Sequence, residues 1–311
     1  MKVHYNYKNL SINRPAATIG TFDGVHTGHR HVLEVLRTRA REMEGESVVI
    51  TFEPHPGKII SGEGFTGSLL TTTEEKISLI EALGIGHMVI LKFSRVLSRM
   101  NSESFLEQIL AGGIGIRHLL IGFNHSFGHM GSFSYDKISR YASRLGITSE
   151  ILEAREQEGS VISSTRIREA LAAGDLAAAG NMLGYSYFID GTVIRGKGLG
   201  RKLGYPTANI KPASPDKLIP ADGVYAVETV VQGKTLPAVM SIGFNPTINT
   251  RKAKRSLEVH IPDFTGDIYG DKIRVIFKYR LRGEMIFKSH SELTRKIEDD
   301  IDNAMKLLRN G

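Results

Sequence analysis

The chain contains no cysteine. That absence excludes disulfides, thiolate-held metals and cysteine nucleophiles, and it is compatible with a reducing compartment, so a cytoplasmic protein is expected. No apolar run approaches the length needed to span a bilayer, and the opening MKVHYNYKNL lacks the apolar core of a secretory signal. Neither membrane insertion nor secretion is expected. There is no internal repeat and no low-complexity tract, so the two halves of the chain read as different modules rather than copies. Acidic residues are outnumbered by basic ones, 33 against 40, and the formal charge is +7. This balance admits a nucleic-acid partner but suits equally a protein that handles phosphorylated small molecules. The basic cluster Arg251-Lys252-Ala253-Lys254-Arg255 is not interrupted by any aromatic residue and reads as a solvated loop, so no nucleic-acid partner is expected.

What is present is ample core material, 41% hydrophobic residues in a chain of 311, enough for one or two domains. From residue 16 to about 183, apolar strands alternate with amphipathic helical patterns: Ala16–Gly20, His29–Met43, Ser47–Phe52, Glu74–Leu83, His87–Phe93, Ser102–Leu110, Arg117–Gly122, Ser134–Leu145 and Thr148–Ala154. The alternation implies a mainly parallel, doubly wound α/β sheet, whose ligands belong at the carboxyl ends of the strands. Three loops meet that condition: Gly20 to Arg30, Thr51 to Pro56, and Gly122 to Gly128. Beyond about residue 184 the pattern becomes strand-like and turn-rich, with Phe188–Ile194, Gly223–Val231, Lys234–Ile242, Ser256–Ile261 and Lys272–Leu281, a hairpin turn at Gln232-Gly233, and one helix, Ser291–Leu308. Two domains are therefore expected: residues 1–183, α/β, and residues 184–311, an antiparallel barrel with a C-terminal helix.

The stretch GTFDGVHTGHR, Gly20 to Arg30, joins a strand to a helix. Gly24 and Gly28 let backbone approach a ligand, and His26 and His29, three apart, share a face of the starting helix. Backbone N–H groups and the positive helix end favour an anion, and imidazole donors add charge-assisted hydrogen bonds, so the stretch reads as a nucleotide phosphate site. The plainer alternatives are a decorated loop or a histidine-held metal, and the latter lacks further ligands nearby. Later, Ile162-Ser163-Ser164-Thr165-Arg166-Ile167-Arg168 opens an Ala-rich helix. Its hydroxyls are natural N-caps, and two hydroxyls beside two arginines also make a second phosphate clamp.

In the second half, Arg195-Gly196-Lys197-Gly198-Leu199-Gly200-Arg201-Lys202-Leu203-Gly204 is neither a dinucleotide fingerprint nor a GxxxxGK[ST] loop, because Tyr205-Pro206-Thr207 follows where a helix would be needed. Such a loop can still wrap a phosphate through backbone N–H groups. Thr207 and Asn209, two apart on an extended segment, point to one side and could hold a hard cation such as Mg²⁺. Glu258 alternates with Leu257 and Val259, the pattern of a surface strand carboxylate.

HxGH followed by SSTRIR resembles the nucleotidylyltransferase superfamily, and GKGLGRKLGYPTAN resembles the riboflavin kinase signature, continued by GVYAVET, SIGFNPTIN, LEVHIPDF, DIYGDKIRV and LRGE. From Gly20 to about Asp302 the chain is thus similar to the bacterial bifunctional riboflavin kinase/FAD synthetases. Two departures stand out: Thr21 occupies a position that is often Asn, and GFNHSFG replaces a commoner acidic GDDFRFG. The resemblance implies a Rossmann-like nucleotidylyltransferase domain with His26 and His29 as catalytic groups. It also implies that Gly20, Phe22, Asp23, Gly28, Asn124, Ser164, Thr165 and Arg168 bind the nucleotide to be cleaved. In the kinase domain it implies nucleotide binding by Gly196, Gly198, Gly200, Thr207 and Asn209, with Mg²⁺ at Thr207 and Asn209 and Glu258 as general base. The expected small-molecule partners are riboflavin, FMN, FAD and ATP. Phe52, Pro54 and Pro56 could line a flavin ring, though loop geometry alone explains them. Rival functions are another nucleotidylyltransferase with an acceptor-binding barrel, against which the PTAN segment and downstream glutamate argue, and a non-enzymatic flavin sensor or nucleic-acid-binding regulator.

Overall fold

Strands that are apolar on both faces must be covered on both, and the first half of the chain is built that way. The computed structural model describes residues 1–60, 68–122, 135–153, 156–157, 160–196, 198–202, 204–244 and 255–310. Strands β1 (Lys2–His4), β2 (Ala16–Ile19), β3 (Ser47–Glu53), β4 (His87–Lys92), β5 (His118–Gly122) and β6 (Thr148–Leu152) form a parallel sheet in the order β1-β4-β3-β2-β5-β6. Alternate residues along each strand go to opposite faces. On one face Val49, Met88, Ile90 and Leu120 pack with Leu33, Leu36 and Ala40 of α1 (Thr27–Glu42) and with Ile80 of α3 (Thr73–Glu81). On the other, Ile19, Ile50, Val89 and Leu119 pack with a π-helix (Phe105–Ile114) and with Ile138 and Ala142 of α6 (Tyr135–Arg144). Short helices α2 (Pro56–Ile60), α4 (Arg95–Ser98) and α5 (Ser102–Ser104) complete the connections.

The chain leaves β2 toward β3 and β4 on one side, then returns to β5 on the other side of β2. The order therefore reverses at β2/β5, and the crevice a doubly wound sheet offers to ligands opens at the carboxyl end of β2. The Gly20 to Arg30 turn leaves from that end.

Two features differ from the sequence pattern. The short strand β1 was not expected, and three residues on a sheet edge are too few to show a period. The expected helix over 102–110 is one α-turn followed by a π-helix that ends at Gly115, φ +78°. Gly112 and Gly113 sit in its last turns, and the Tyr7 ring lies where a side chain on Gly113 would be.

Contacts divide the chain into two compact units, Met1–Ser164 and Thr165–Gly311. A small hairpin, β7 (Glu156–Gln157) and β8 (Ser160–Val161), precedes α7 (Ser164–Ala173), which α8 (Leu176–Leu183) follows. The second unit then contains β9 (Phe188–Ile194), α9 (Leu199–Lys202), β10 (Ala208–Pro212), β11 (Gly223–Val231), β12 (Lys234–Phe244), β13 (Arg255–His260) and β14 (Lys272–Arg282). Its strands close an antiparallel barrel in the order β10-β13-β12-β11-β14-β9. Gln232 and Gly233 make the β11–β12 hairpin with φ of +50° and +75°, the left-handed pair that a two-residue turn requires. Inside, Tyr225 and Phe277 meet edge to face at 5.3 Å. Helix α10 (His290–Asn310) lays Ile301, Ala304, Met305 and Leu308 over Val224, Ala226 and Val239, and Asp300 pairs with Arg282 at 2.8 Å. Among the described residues no helix is long and apolar enough to cross a membrane.

Helices α7 and α8 belong to the second unit by their bonds. The Ala221 N–H donates to Leu171 C=O at 3.0 Å, and Arg280 donates to Ala173 C=O at 3.1 Å. A fragment spanning 165–311 is therefore expected to melt roughly 10 °C or more above one spanning 184–311, since the shorter piece lacks the buried Leu171 and Leu183 and the bonds that α7 makes to the barrel. Calorimetry on both fragments checks this, and equal melting temperatures would remove the two helices from the unit's cooperative core.

Candidate functional sites

The first site is the turn after β2. Its backbone is bent hard: Phe22 and Val25 hold φ of +48° and +39°, unusual for residues with side chains, and Gly24 holds +84°. The bend turns Asp23 inward, where its carboxylate accepts hydrogen bonds from the Leu70 and Thr71 N–H groups at 3.2 and 3.0 Å and from the Thr71 hydroxyl at 3.4 Å. The Gly24 N–H returns a bond to Thr71 Oγ1 at 3.1 Å, and the Ser164 hydroxyl donates to the Asp23 carbonyl at 2.8 Å. Gly20, at the start of the turn, stays in register through its N–H to Ile50 C=O at 3.0 Å.

His26 is the N-cap of α1, its Nδ1 accepting the His29 N–H at 3.3 Å. An accepting Nδ1 puts the proton of a neutral His26 on Nε2. The His26 and His29 rings stack 3.6 Å apart and 15° from parallel, and the Phe22 ring meets His29 edge-on at 5.1 Å. A side chain at Gly28 would press on the His26 ring at 3.3 Å, so glycine keeps the stack free. Burial pushes His26 down to about 4, with Asp23 acting in the opposite direction. His29 is held well below its ordinary value by burial, with help from His26 and Lys76. Its Nδ1 is buried without a hydrogen-bond partner among the described residues. At neutral pH both rings are thus uncharged beside a positive helix end, a state that an arriving polyanion would shift toward protonation.

The structure brings Gly20, Phe22, Asp23, His26, Gly28, His29 and Ser164 together around this turn. Thr165 and Arg168 follow on α7, the former exposed and the latter half-buried. Asn124 lies outside the described residues, as does the rest of the GFNHSFG loop beyond Gly122. Lys76 and Thr71, which with Thr51 of the second loop bind the turn from beneath, carry no site signal in the sequence pattern. The readable signal is burial alone: Lys76 stands one helical turn before the buried Ile80 on the covered face of α3.

The second site is on the barrel. Asn209 of β10 is paired with Glu258 of β13, and Glu258 with Ser241 of β12, so the three side chains emerge on one face while Leu257 and Val259 are buried on the other. The Thr207 hydroxyl donates to Glu258 Oε2 at 3.0 Å. Gly196 and Gly200 have no room for a side chain: at the first it would strike the Asn209 amide, at the second the Tyr205 carbonyl. Gly198, φ +69°, faces open space. Lys197 and Leu203 lie outside the described residues. The loop is fastened by the Tyr205 N–H to Gly200 C=O at 2.8 Å, by His260 Nδ1 with Pro206 C=O at 2.8 Å, and by the Tyr205 hydroxyl to Glu298 of α10 at 2.7 Å. A cavity of about 410 Å³ opens beside Thr207, with Arg201, Phe264, Asp267 and Tyr269 on its walls. No cluster of three His, Asp or Glu side chains fit to hold a metal occurs among the described residues.

Family models for FAD synthetase and riboflavin kinase match residues 9–166 and 183–308 respectively. The bifunctional riboflavin kinase/FMN adenylyltransferase of Pseudomonas fluorescens is 36% identical over 291 residues, 94% of this chain and 92% of the relative. The enzymes of the same name from Bacillus subtilis and Escherichia coli K12 are 34% and 33% identical, over 94% and 91% of this chain and 92% and 89% of theirs. A crystal structure described as a macrolide-efflux protein from Streptococcus pneumoniae superposes with a TM-score of 0.86 at 28% identity, covering 97% of this chain and 98% of that one.

A pH dependence follows from His26. Its folded-state value lies below the ordinary 6.5, so protonation favours the unfolded chain, and stability is lost as pH falls from 6.5 toward about 4. The loss attributable to His26 should reach about 3 kcal/mol at the acid end. His26→Asn keeps an N-cap acceptor but cannot titrate. Unfolding free energies of the two proteins at several pH values should converge on acidification, and parallel curves would contradict the buried neutral state.

Proposed function

Because the chain belongs to the family of bifunctional riboflavin kinase/FMN adenylyltransferases, we propose that its two sites run two successive ATP-dependent steps in flavin cofactor synthesis. Riboflavin and ATP give FMN and ADP in the barrel unit. FMN and a second ATP then give FAD and pyrophosphate in the α/β unit. We assign the kinase reaction to residues 184–311 and the adenylylation to residues 1–183. The observation that carries the residue assignments is that each compact unit holds its own phosphate-type site, the His26–His29 stack at a helix start in one and the Thr207–Glu258 hydrogen bond beside a glycine-tight loop in the other.

In the kinase step Glu258 accepts the proton of the ribityl 5′-hydroxyl as that oxygen attacks the γ-phosphorus of ATP, and ADP departs. Thr207 already donates to this carboxylate, which orients it. Thr207 and Asn209 would hold Mg²⁺, which when bound supplies positive charge to the nucleotide phosphates. The glycine-tight loop wraps the phosphates with backbone N–H groups, Arg201 adds charge, and the Phe264 and Tyr269 rings offer faces for the base.

In the adenylylation step an FMN phosphate oxygen attacks the α-phosphorus of ATP, and the bond to pyrophosphate breaks. His26, through Nε2–H, and His29 donate to oxygens on which charge builds, aided by the start of α1. Thr165 and Arg168, at the start of α7, are assigned to the same nucleotide, with Asn124 of the third loop. We place the protein in the cytoplasm, in keeping with its lack of cysteine.

Riboflavin incubated with ATP and Mg²⁺ and followed by chromatography should show FMN appear first and FAD after it. His29→Ala should slow FAD formation by about two orders of magnitude and let FMN accumulate. A normal rate would remove His29 from the site. In Glu258→Gln the shape is kept and the proton acceptor is lost, so riboflavin phosphorylation should collapse while added FMN is still converted to FAD. Retained kinase activity would leave Glu258 with a structural part only.

A further inference from the structure

Lys76 is the least expected charge in the first unit. It stands on α3, is 6% exposed, and yet carries an ammonium. Its Nζ donates to the Thr21 carbonyl at 2.6 Å and, at 3.4 Å, to Thr51 Oγ1, whose own hydroxyl donates to the same carbonyl at 3.2 Å. Thr21 is the residue before Phe22, where the chain enters its left-handed bend, and Phe22 sets its ring against His29. Among the described residues no carboxylate lies within ion-pair distance of Nζ. Asp23, the acid of the turn itself, accepts from the Leu70 and Thr71 N–H groups. Removing an ammonium from water without a paired counter-charge costs several kcal/mol, far more than burying a methionine of similar shape. A chain that keeps such a charge under a turn read as a phosphate site has left positive charge there for a ligand to offset.

We propose that Lys76 is a positioning residue for adenylylation, fixing the Thr21 carbonyl so that Phe22 and His29 take their places, and supplying positive charge beneath the nucleotide phosphates. The proposal rests on reading the His26–His29 turn as the adenylylation site. Burial lowers the Lys76 ammonium from its ordinary value, while Asp23 and Glu53 act in the opposite direction. The groups that sense it are therefore Asp23 in the turn, Glu53 at the end of β3, and His29 on α1, which Lys76 helps to keep neutral. A lowered lysine loses its charge as pH rises, so FAD synthesis should fall on the alkaline side at a pH below that of an ordinary lysine.

The test compares Lys76→Met and Lys76→Arg with the unaltered full-length enzyme. For each, kcat and KM for ATP are measured in FMN adenylylation across neutral to alkaline pH, with riboflavin phosphorylation by the same protein as internal control. Lys76→Met should lose about tenfold or more in kcat/KM, chiefly through a raised KM for ATP, with phosphorylation unchanged. Lys76→Arg should recover part of that loss at neutral pH and move the alkaline fall upward, because guanidinium stays charged. A purely structural lysine would not move that limb. Wild-type adenylylation in Lys76→Met overturns the proposal. Should Lys76→Met melt the first unit, coincident alkaline limbs in the unaltered enzyme and Lys76→Arg overturn it instead. If His29→Ala also left adenylylation normal, the site reading itself would fall. A failure confined to Lys76 leaves that reading standing.

Discussion

The α/β unit depends on one carboxylate turned the wrong way for a surface loop. Asp23 sits in the middle of GTFDG, where a glycine-flanked acid would ordinarily face water, yet it is 2% exposed and takes its donors from the 70–71 backbone and the Thr71 hydroxyl. A buried carboxylate is tolerable when hydrogen-bonded in this way, and each such charge-assisted bond is stronger than a neutral one. The same residue's carbonyl receives the Ser164 hydroxyl. One side chain and one carbonyl thus tie the turn after β2 both to the segment entering α3 and to the first residue of α7. The left-handed backbone of Phe22 and Val25 is affordable only because these bonds over-determine it.

The barrel solves the same problem by register rather than by a buried charge. Antiparallel pairing puts Asn209 opposite Glu258 and Glu258 opposite Ser241, so these side chains are aligned by the ladder itself. What needs extra fastening is the incoming loop, and it receives it from three sources: its own backbone, His260 two residues beyond Glu258 on the same strand face, and Glu298 on α10. The C-terminal helix is therefore more than a cover for Val224 and Val239, because through Tyr205 it also holds the segment that leads into Thr207 and Asn209.

Much of this was legible before any coordinates. The long strands were read within a residue or two because both-face burial gives continuous apolar runs, and the hairpin at Gln232-Gly233 because a two-residue turn demands left-handed backbone. The clustering of His26 and His29 was legible because a helix start makes residues three apart neighbours. What was not legible has physical causes. Strand β1 is too short to show a period, β10 read only as an extended segment because proline and glycine surround it, and the π-helix sets Gly113 against Tyr7, a contact far apart in sequence. Pattern alone made Glu258 a surface carboxylate. The family resemblance made it the kinase base, and in the structure it is paired with Asn209 and takes the Thr207 hydroxyl on its oxygen. Lys76 stands among the acids of TTTEEK, a composition that marks no site, although its place on the Ile80 face marks it as covered.

The electrostatics of the first site follow from these placements. Three basic groups, Lys76, His26 and His29, surround one turn, and all three are pushed toward their neutral forms by burial. They do not respond alike. The lysine starts from an ordinary value far above neutrality and is lowered from there, whereas the histidines start near neutrality and are discharged. Two imidazoles stacked at 3.6 Å cannot both charge cheaply beside a buried ammonium. A nucleotide's phosphates change that balance, since each negative charge brought to the helix start offsets the repulsion among the three and makes a histidine proton easier to hold. On the proposed reading, the arrival of a polyanion is what draws protons onto the two histidines. That is when a donor aimed at developing charge stabilises the transition state more than the ground state.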